Sequence, residues 1–404
     1  MVDIKSIDRR KWTIRLLYSL PFLAVLSLLF YSYGTVSRVL LLFEGLVFFL
    51  LLLLNYDVIG TRKRWILLLV NLASVAVTML FHSGIGCAIA YFNMLSAFYV
   101  FNNIVISKNE SNTLHILTAY LLVIYFLTSN IGVLYNFERF TDINGNEINS
   151  NVAGMLFLAL VFHMVRFTSG LSIKKQYKLG LNILILVLGG YVVYLTRCRS
   201  ALIALLAFVF FIVVLRRELS YKLYKFATVS IMLLSIAFTF VYILMYQNFS
   251  DLTILGKRLF TGREIVWTSA FEHIKNSFLI GNGTDVVLDT VGGGTTVSAH
   301  NMLLSLWYTL GLVPVGTTIF FFVNKLKDKE ESAVDKISQL AFIASLFVCF
   351  FESFYTDPNI QIFFLPFLIN NIKSNEEENA DDPEEDSLLL VRGEAAEQAG
   401  EEMP

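Results

Sequence analysis

The side chains that could do chemistry gather in two places. One is Thr196-Arg197-Cys198-Arg199-Ser200, a turn between two apolar runs with almost no loop. The other is a polar interruption from Gln247 to Asn301, carrying Lys257-Arg258, Thr261-Gly262-Arg263-Glu264 and finally His300-Asn301. Arginine donates bidentately to phosphate or carboxylate oxygens. Histidine, with an unperturbed pKa of about 6.5, is a natural proton acceptor. Clustered arginines beside a histidine are groups for holding an anion and abstracting a proton.

Each candidate also has a plainer reading. Thr261 to Glu264 fits a capping box, with Thr261 as N-cap and Glu264 at N3, so Glu264 reads first as a cap and second as a general base. The following helix is predicted to run to about Asn276, with Gly281-Asn282-Gly283 as a turn beyond it. Trp267, Ala270, Phe271, Ile274 and Phe278 recur at helical spacing, which makes this helix amphipathic and makes Trp267 first a packing aromatic. A cation in the first turn opposes the helix dipole. Arg263 there is either a snorkelling surface residue or, together with the amides, a ligand for an anion. Arg197 ends one helix, where a cation suits the dipole. Arg199 precedes the next, with Ser200 as a plausible N-cap. Two arginines at so tight a turn serve lipid headgroups or a substrate phosphate.

These groups need a frame. Of 404 residues, 56% are hydrophobic and 16% charged, with a mean hydropathy of +0.66. Soluble domains are nearer 45–50% apolar and about 25% charged, so the expectation is an all-α polytopic membrane protein. Apolar runs predict about twelve spans: 15–33, 37–59, 65–82, 85–106, 113–133, 152–170, 179–196, 200–215, 226–246, 302–323, 337–355 and 359–372, the last short. Lys and Arg sort unevenly over alternate connectors, 21 on one side and eight on the other. The positive-inside rule then puts both termini in the cytoplasm and the 247–301 loop outside. Five of the eight outward cations fall in two clusters, Arg197/Arg199 and Lys257/Arg258/Arg263.

The formal net charge of −1 hides an asymmetry. Residues 375–404 hold 12 acids and one base, leaving 20 acids and 30 bases in residues 1–374. The chain therefore reads as a membrane domain (1–374) with a disordered acidic cytoplasmic tail (375–404). Cys87, Cys198 and Cys349 show no metal or redox spacing and read as packing residues. No DxD, HExxH or paired-histidine motif occurs on the outer face, and Asp142 to Glu147 lacks a glycine at the position a calcium loop requires. No metal or other cofactor is expected.

Taken in order, an Arg199-Ser200-Ala201 turn, a Gly262-Arg263-x-x-x-Trp267 helix, Gly281-x-Gly283, and His300-Asn301 opening a span with Gly311-Leu312 resemble the O-antigen ligase/polymerase superfamily of bacterial envelope glycosyltransferases. The resemblance covers about residues 185–325. It implies metal-independent transfer of glycan from undecaprenyl pyrophosphate on the outer face of the bacterial inner membrane. Arg199 and Arg263 would contact donor pyrophosphate, and His300 would activate the acceptor hydroxyl. Arg197, Lys257, Arg258, Trp267, Glu264 and Asn301 are taken as further substrate contacts.

Of the readings this leaves, a polymerase of O-antigen or capsular repeat units comes first, and an O-antigen ligase acting on lipid A core of lipopolysaccharide second. The implied partners are an undecaprenyl-pyrophosphate-linked oligosaccharide, the bilayer, a chain-length regulator and a flippase; nucleic acid is not among them. A flippase or transporter would instead use intramembrane charges such as Arg38, Glu44, Arg166 and Glu352, or inverted repeats. Those charges are scattered along the sequence, and no internal repeat is visible.

Overall fold

The computed structural model describes residues 8–30, 33–56, 62–81, 85–129, 140–141, 145, 147–214, 221–249, 253–254, 257–258, 262–283, 286–296, 299–323, 333–352, 358–369 and 371–373. Among the described residues, nine helices account for its first part: α1 (Arg9–Leu29), α2 (Gly34–Leu54), α3 (Arg62–Phe81), α4 (Ile85–Asn103), α5 (Lys108–Thr128), α6 (Ser150–Gly170), α7 (Lys175–Leu195), α8 (Arg199–Val214) and α9 (Tyr221–Phe249). After them come α10 (Arg263–Asn276), α11 (Met302–Leu310), α12 (Leu312–Val323), α13 (Ala333–Ser345) and the short α14 (Pro358–Gln361). Among the described residues the fold is predominantly helical. Its strands are pairs of two or three residues each, including Val105–Ser107 with Asn371–Lys373 in parallel and Leu288–Asp289 with Thr295–Thr296 antiparallel.

Among the described residues, six helices are long and apolar enough to cross a membrane: α1, α2, α5, α6, α7 and α9. Four other apolar helices are shorter. The expected count of about twelve is therefore not reproduced. Gly311 divides the 302–323 run, its backbone at φ 85° ending α11 before α12 starts. The 337–355 run is α13 followed by turns and a 3-10 segment, Val348–Phe350. The described residues of the 359–372 run are α14, a buried 3-10 segment (Leu365–Leu368) and the strand at Asn371, with no helix long enough to span among them. The acidic tail lies outside the described residues.

One helix measures the bundle. At the C-terminal end of α6, Arg166 donates to Asn112 Oδ1 and Ser111 Oγ in the first turn of α5. Beside it lie Lys178 (Nζ to Ser169 O, 3.0 Å) and, across α5, the Arg10–Glu110 pair at 3.5 Å. At the N-terminal end of α6, Asn151 meets the groups described below. With a rise of 1.5 Å per residue, the 21 residues of α6 separate these ends by about 30 Å, the thickness of a bilayer's hydrocarbon core. Lys108, Lys175 and Lys178 lie at one end; Arg199, Arg263 and His300 lie at the other.

Candidate functional site

The polar interruption folds back onto the bundle through α10. Its buried face presents Val266, Trp267, Ala270 and Ile274 to Tyr242 of α9 and to Leu304 and Tyr308 of α11, forming a second apolar cluster beside the main core. The helical stripe read from the sequence is present except at its end, where Phe278 is exposed against Trp307. Thr261 lies outside the described residues. The N-cap is Gly262, with left-handed backbone at φ 93°, and Glu264 receives the Gly262 amide on both carboxylate oxygens at 3.1 Å. Glu264 is thus a cap, one residue nearer the helix start than the capping-box pattern expects. At the other end, Asn282 Nδ2 donates to the His273 carbonyl, and Lys275 and His273 suit the dipole.

Trp267 fixes the approach to His300. It is fully buried, and its indole N–H donates to the Ala299 carbonyl at 2.6 Å. The Ala299 amide donates to Ser305 Oγ, and Asn301 caps α11 by accepting from the Leu304 amide at 3.0 Å. Asn301 Nδ2 also donates to Ser235 Oγ at 2.9 Å, tying α11 to α9. The resemblance implies that both Trp267 and Asn301 are substrate contacts. Full burial leaves neither a surface to offer, and they act as braces on either side of His300.

Held between those braces, His300 has φ 49°. Among the described residues the non-glycine positions with left-handed backbone are His300 and Arg197 (φ 57°), both singled out by sequence. Each such residue costs about 1–2 kcal/mol, and strain of this kind gathers at functional sites.

The centre of the site is a residue the motifs did not supply. Glu352, buried just after the 3-10 segment, accepts from Arg263 Nη2 at 2.7 Å and from Asn151 Nδ2 at 2.7 Å through Oε1. Its other oxygen lies 3.5 Å from His300 Nδ1. The Arg263 guanidinium also lies over the Phe351 ring at 5.6 Å. Exposure grades outward: the carboxylate side chain is 10% exposed, Arg263 22% and His300 35%. One carboxylate therefore anchors a cation and an imidazole that both reach toward the surface. Sequence offered one signal for it, a lone acid at the end of an apolar run.

The arginine turn joins through Asn151. Cys198 Sγ contacts the Asn151 carbonyl at 3.7 Å. Gly154 permits this approach, since a Cβ there would overlap the Cys198 side chain. Burial pushes the Cys198 thiol up, which keeps it protonated as a packing group. Thr196 Oγ1 accepts from the Cys198 amide and closes the turn, leaving Arg197 exposed. Arg199 is partly buried as the first residue of α8, and Ser200 is inside that helix rather than its cap. Lys257 and Arg258 pair as a strand with Thr253–Ile254; their side chains fall outside the described residues. No group of three or more His, Cys, Asp or Glu is placed to hold a metal ion among the described residues.

The glycines of the resembling pattern meet one another. The Asn282 and Gly283 amides donate to the Tyr308 and Thr309 carbonyls, and a Cβ on Gly281 or Gly311 would strike the backbone of the other segment. The interruption's middle is thereby locked to the α11–α12 break. This stretch matches a known family: residues 184–321 fit the profile described as O-antigen ligase. Residues 184–321 are thus similar to an O-antigen ligase, over about a third of the chain. The match supports the O-antigen ligase/polymerase superfamily. It contains Arg199, Arg263 and His300, whereas Asn151 and Glu352 lie outside it. No curated protein matches the chain.

Proposed function

We propose that this protein is a membrane glycosyltransferase that moves glycan from an undecaprenyl-pyrophosphate carrier to a lipid-linked repeat unit, without a metal and with inversion. The observation that carries this reading is the Arg263–Glu352–His300 constellation, a cation and a base held by one carboxylate. Outside the cytoplasm no nucleotide triphosphate drives bond formation, so the donor must arrive activated, and a lipid pyrophosphate is such a leaving group. The acceptor hydroxyl oxygen attacks the anomeric carbon, and its proton passes to His300. The bond from that carbon to the pyrophosphate oxygen breaks. Arg263 and Arg199 take up the charge that develops on the departing pyrophosphate.

Glu352 has two duties in this scheme. With His300 Nδ1 facing the carboxylate, the ring's other nitrogen is the basic one, and the imidazolium formed by proton transfer sits beside a negative charge. The same carboxylate holds Arg263 through one of its five donors. Arg197 sits at the outer edge as an accessory contact. By the positive-inside rule the site faces away from the cytoplasm and both termini face it, in the bacterial inner membrane.

The family profile is described as O-antigen ligase, so the acceptor must be tested. Purified protein given a lipid-linked repeat unit should build laddered polymer. Transfer only after lipid A core is added assigns the ligase. Transbilayer movement of the lipid without transfer removes the glycosyltransferase reading.

A further inference from the structure

Beyond the reacting centre, α10 has a second face. At about 100° per residue, Arg263, Trp267, Ala270 and Ile274 share one side, while Glu264, Thr268 and Glu272 share the other. On that other side lies a cleft of about 330 Å3, between the end of α9, the outer face of α10 and the strand at Leu288–Asp289. Its volume is at the lower end of small-ligand pockets. Ile243 and Ile265 contribute apolar surface, and Gln247, Ser269, Glu272 and Asp289 contribute polar groups.

The lining is built rather than incidental. Ser269 Oγ, on a buried side chain, accepts from the Asp289 amide at 3.2 Å and so pins the strand to α10. Thr268 spends its hydroxyl on the Glu264 carbonyl. Asp289 and Glu272 are exposed beside these anchored groups. The α9 helix, at 29 residues, is longer than a bilayer crossing needs and carries Tyr246 and Gln247 near its C-terminal end.

Resting on the glycosyltransferase reading, the geometry points to this cleft as a subsite for one sugar of the glycan, at a unit beyond the one at the reacting bond. The apolar patches suit the C–H face of a pyranose. The carboxylates accept from its hydroxyls or from an ammonium group, and they repel a uronic acid. The subsite therefore takes a neutral or amino sugar.

The test uses the full chain in nanodiscs carrying His300→Ala, so that binding is read without turnover. The probes are farnesyl pyrophosphates bearing one glucosamine, two glucosamines, or glucosamine followed by glucuronic acid. The two-glucosamine probe should bind more tightly than the one-sugar probe, and the glucuronic acid probe should not. Glu272→Gln, Asp289→Asn and Ile265→Trp should each weaken the two-glucosamine probe about tenfold and leave the one-sugar probe unchanged. Equal binding of the two-glucosamine probe by parent and variants overturns the subsite, as does equal gain from glucuronic acid. Arg263→Ala should weaken all three probes. Should it weaken none while the two-glucosamine advantage and its loss in the variants persist, the pyrophosphate reading falls and the subsite stands.

Discussion

At the residue scale, one buried carboxylate divides its two oxygens between partners. Oε1 serves Arg263 and Asn151, and Oε2 faces His300. Replacing Glu352 with Gln keeps the shape and an acceptor for Asn151 but removes the charge. We expect Glu352→Gln to lower kcat about 10²-fold, within the usual range for losing acid–base assistance, with protein yield unchanged. An unaltered kcat would remove Glu352 from the mechanism. Arg263→Lys should fail as well, because a lysine cannot span both the carboxylate and a phosphate in one planar fork; transfer near the parental rate would contradict that. Arg263, His300 and Arg197 were legible in the sequence because each stands in a local pattern of charge against apolar surroundings. Glu352 was not, because its partners come from three other parts of the chain and only packing brings them together.

At the element scale, α10 is a lever between the apolar cluster beneath it and the strained histidine beyond it. Its amphipathic face was readable from spacing alone, since helical periodicity is a local property. Its first residue was misplaced by the capping-box pattern because Gly262, with no Cβ, takes the left-handed conformation that a threonine cap would not. Trp267→Phe keeps most of the burial and loses the hydrogen bond to Ala299. We expect it to cut transfer while costing only about 1 kcal/mol of stability, seen as a small fall in Tm beside a large fall in kcat. If kcat falls no more than Tm suggests, Trp267 is packing alone. Gly311→Ala meets both a positive φ and a backbone clash. It should destabilise by more than about 1 kcal/mol, read as faster proteolysis of the 277–311 segment; parental resistance would contradict the knitted α11–α12 break.

At the scale of the whole molecule, two polar ends lie about 30 Å apart along α6, and the candidate site lies at one of them. Hydropathy made the membrane class plain, yet its count of about twelve spans is not reproduced among the described residues. It registers apolar stretches without regard to length of helix, and Gly311 and the turns after Ser345 break runs that hydropathy reads as continuous. Cysteines placed singly at positions 277 and 174, in a protein lacking its three native ones, should react oppositely with a membrane-impermeant maleimide on intact cells. Labelling at 277 and not at 174 fits the site facing outward. The reverse pattern inverts the protein and removes the argument for a pre-activated lipid donor.

The most direct measurement is release of undecaprenyl pyrophosphate from a purified, lipid-linked oligosaccharide substrate, compared between the parental protein and His300→Ala. Release coupled to glycan transfer is expected in the first and neither in the second, with both proteins equally folded. Parental rates of release and transfer from His300→Ala would contradict it.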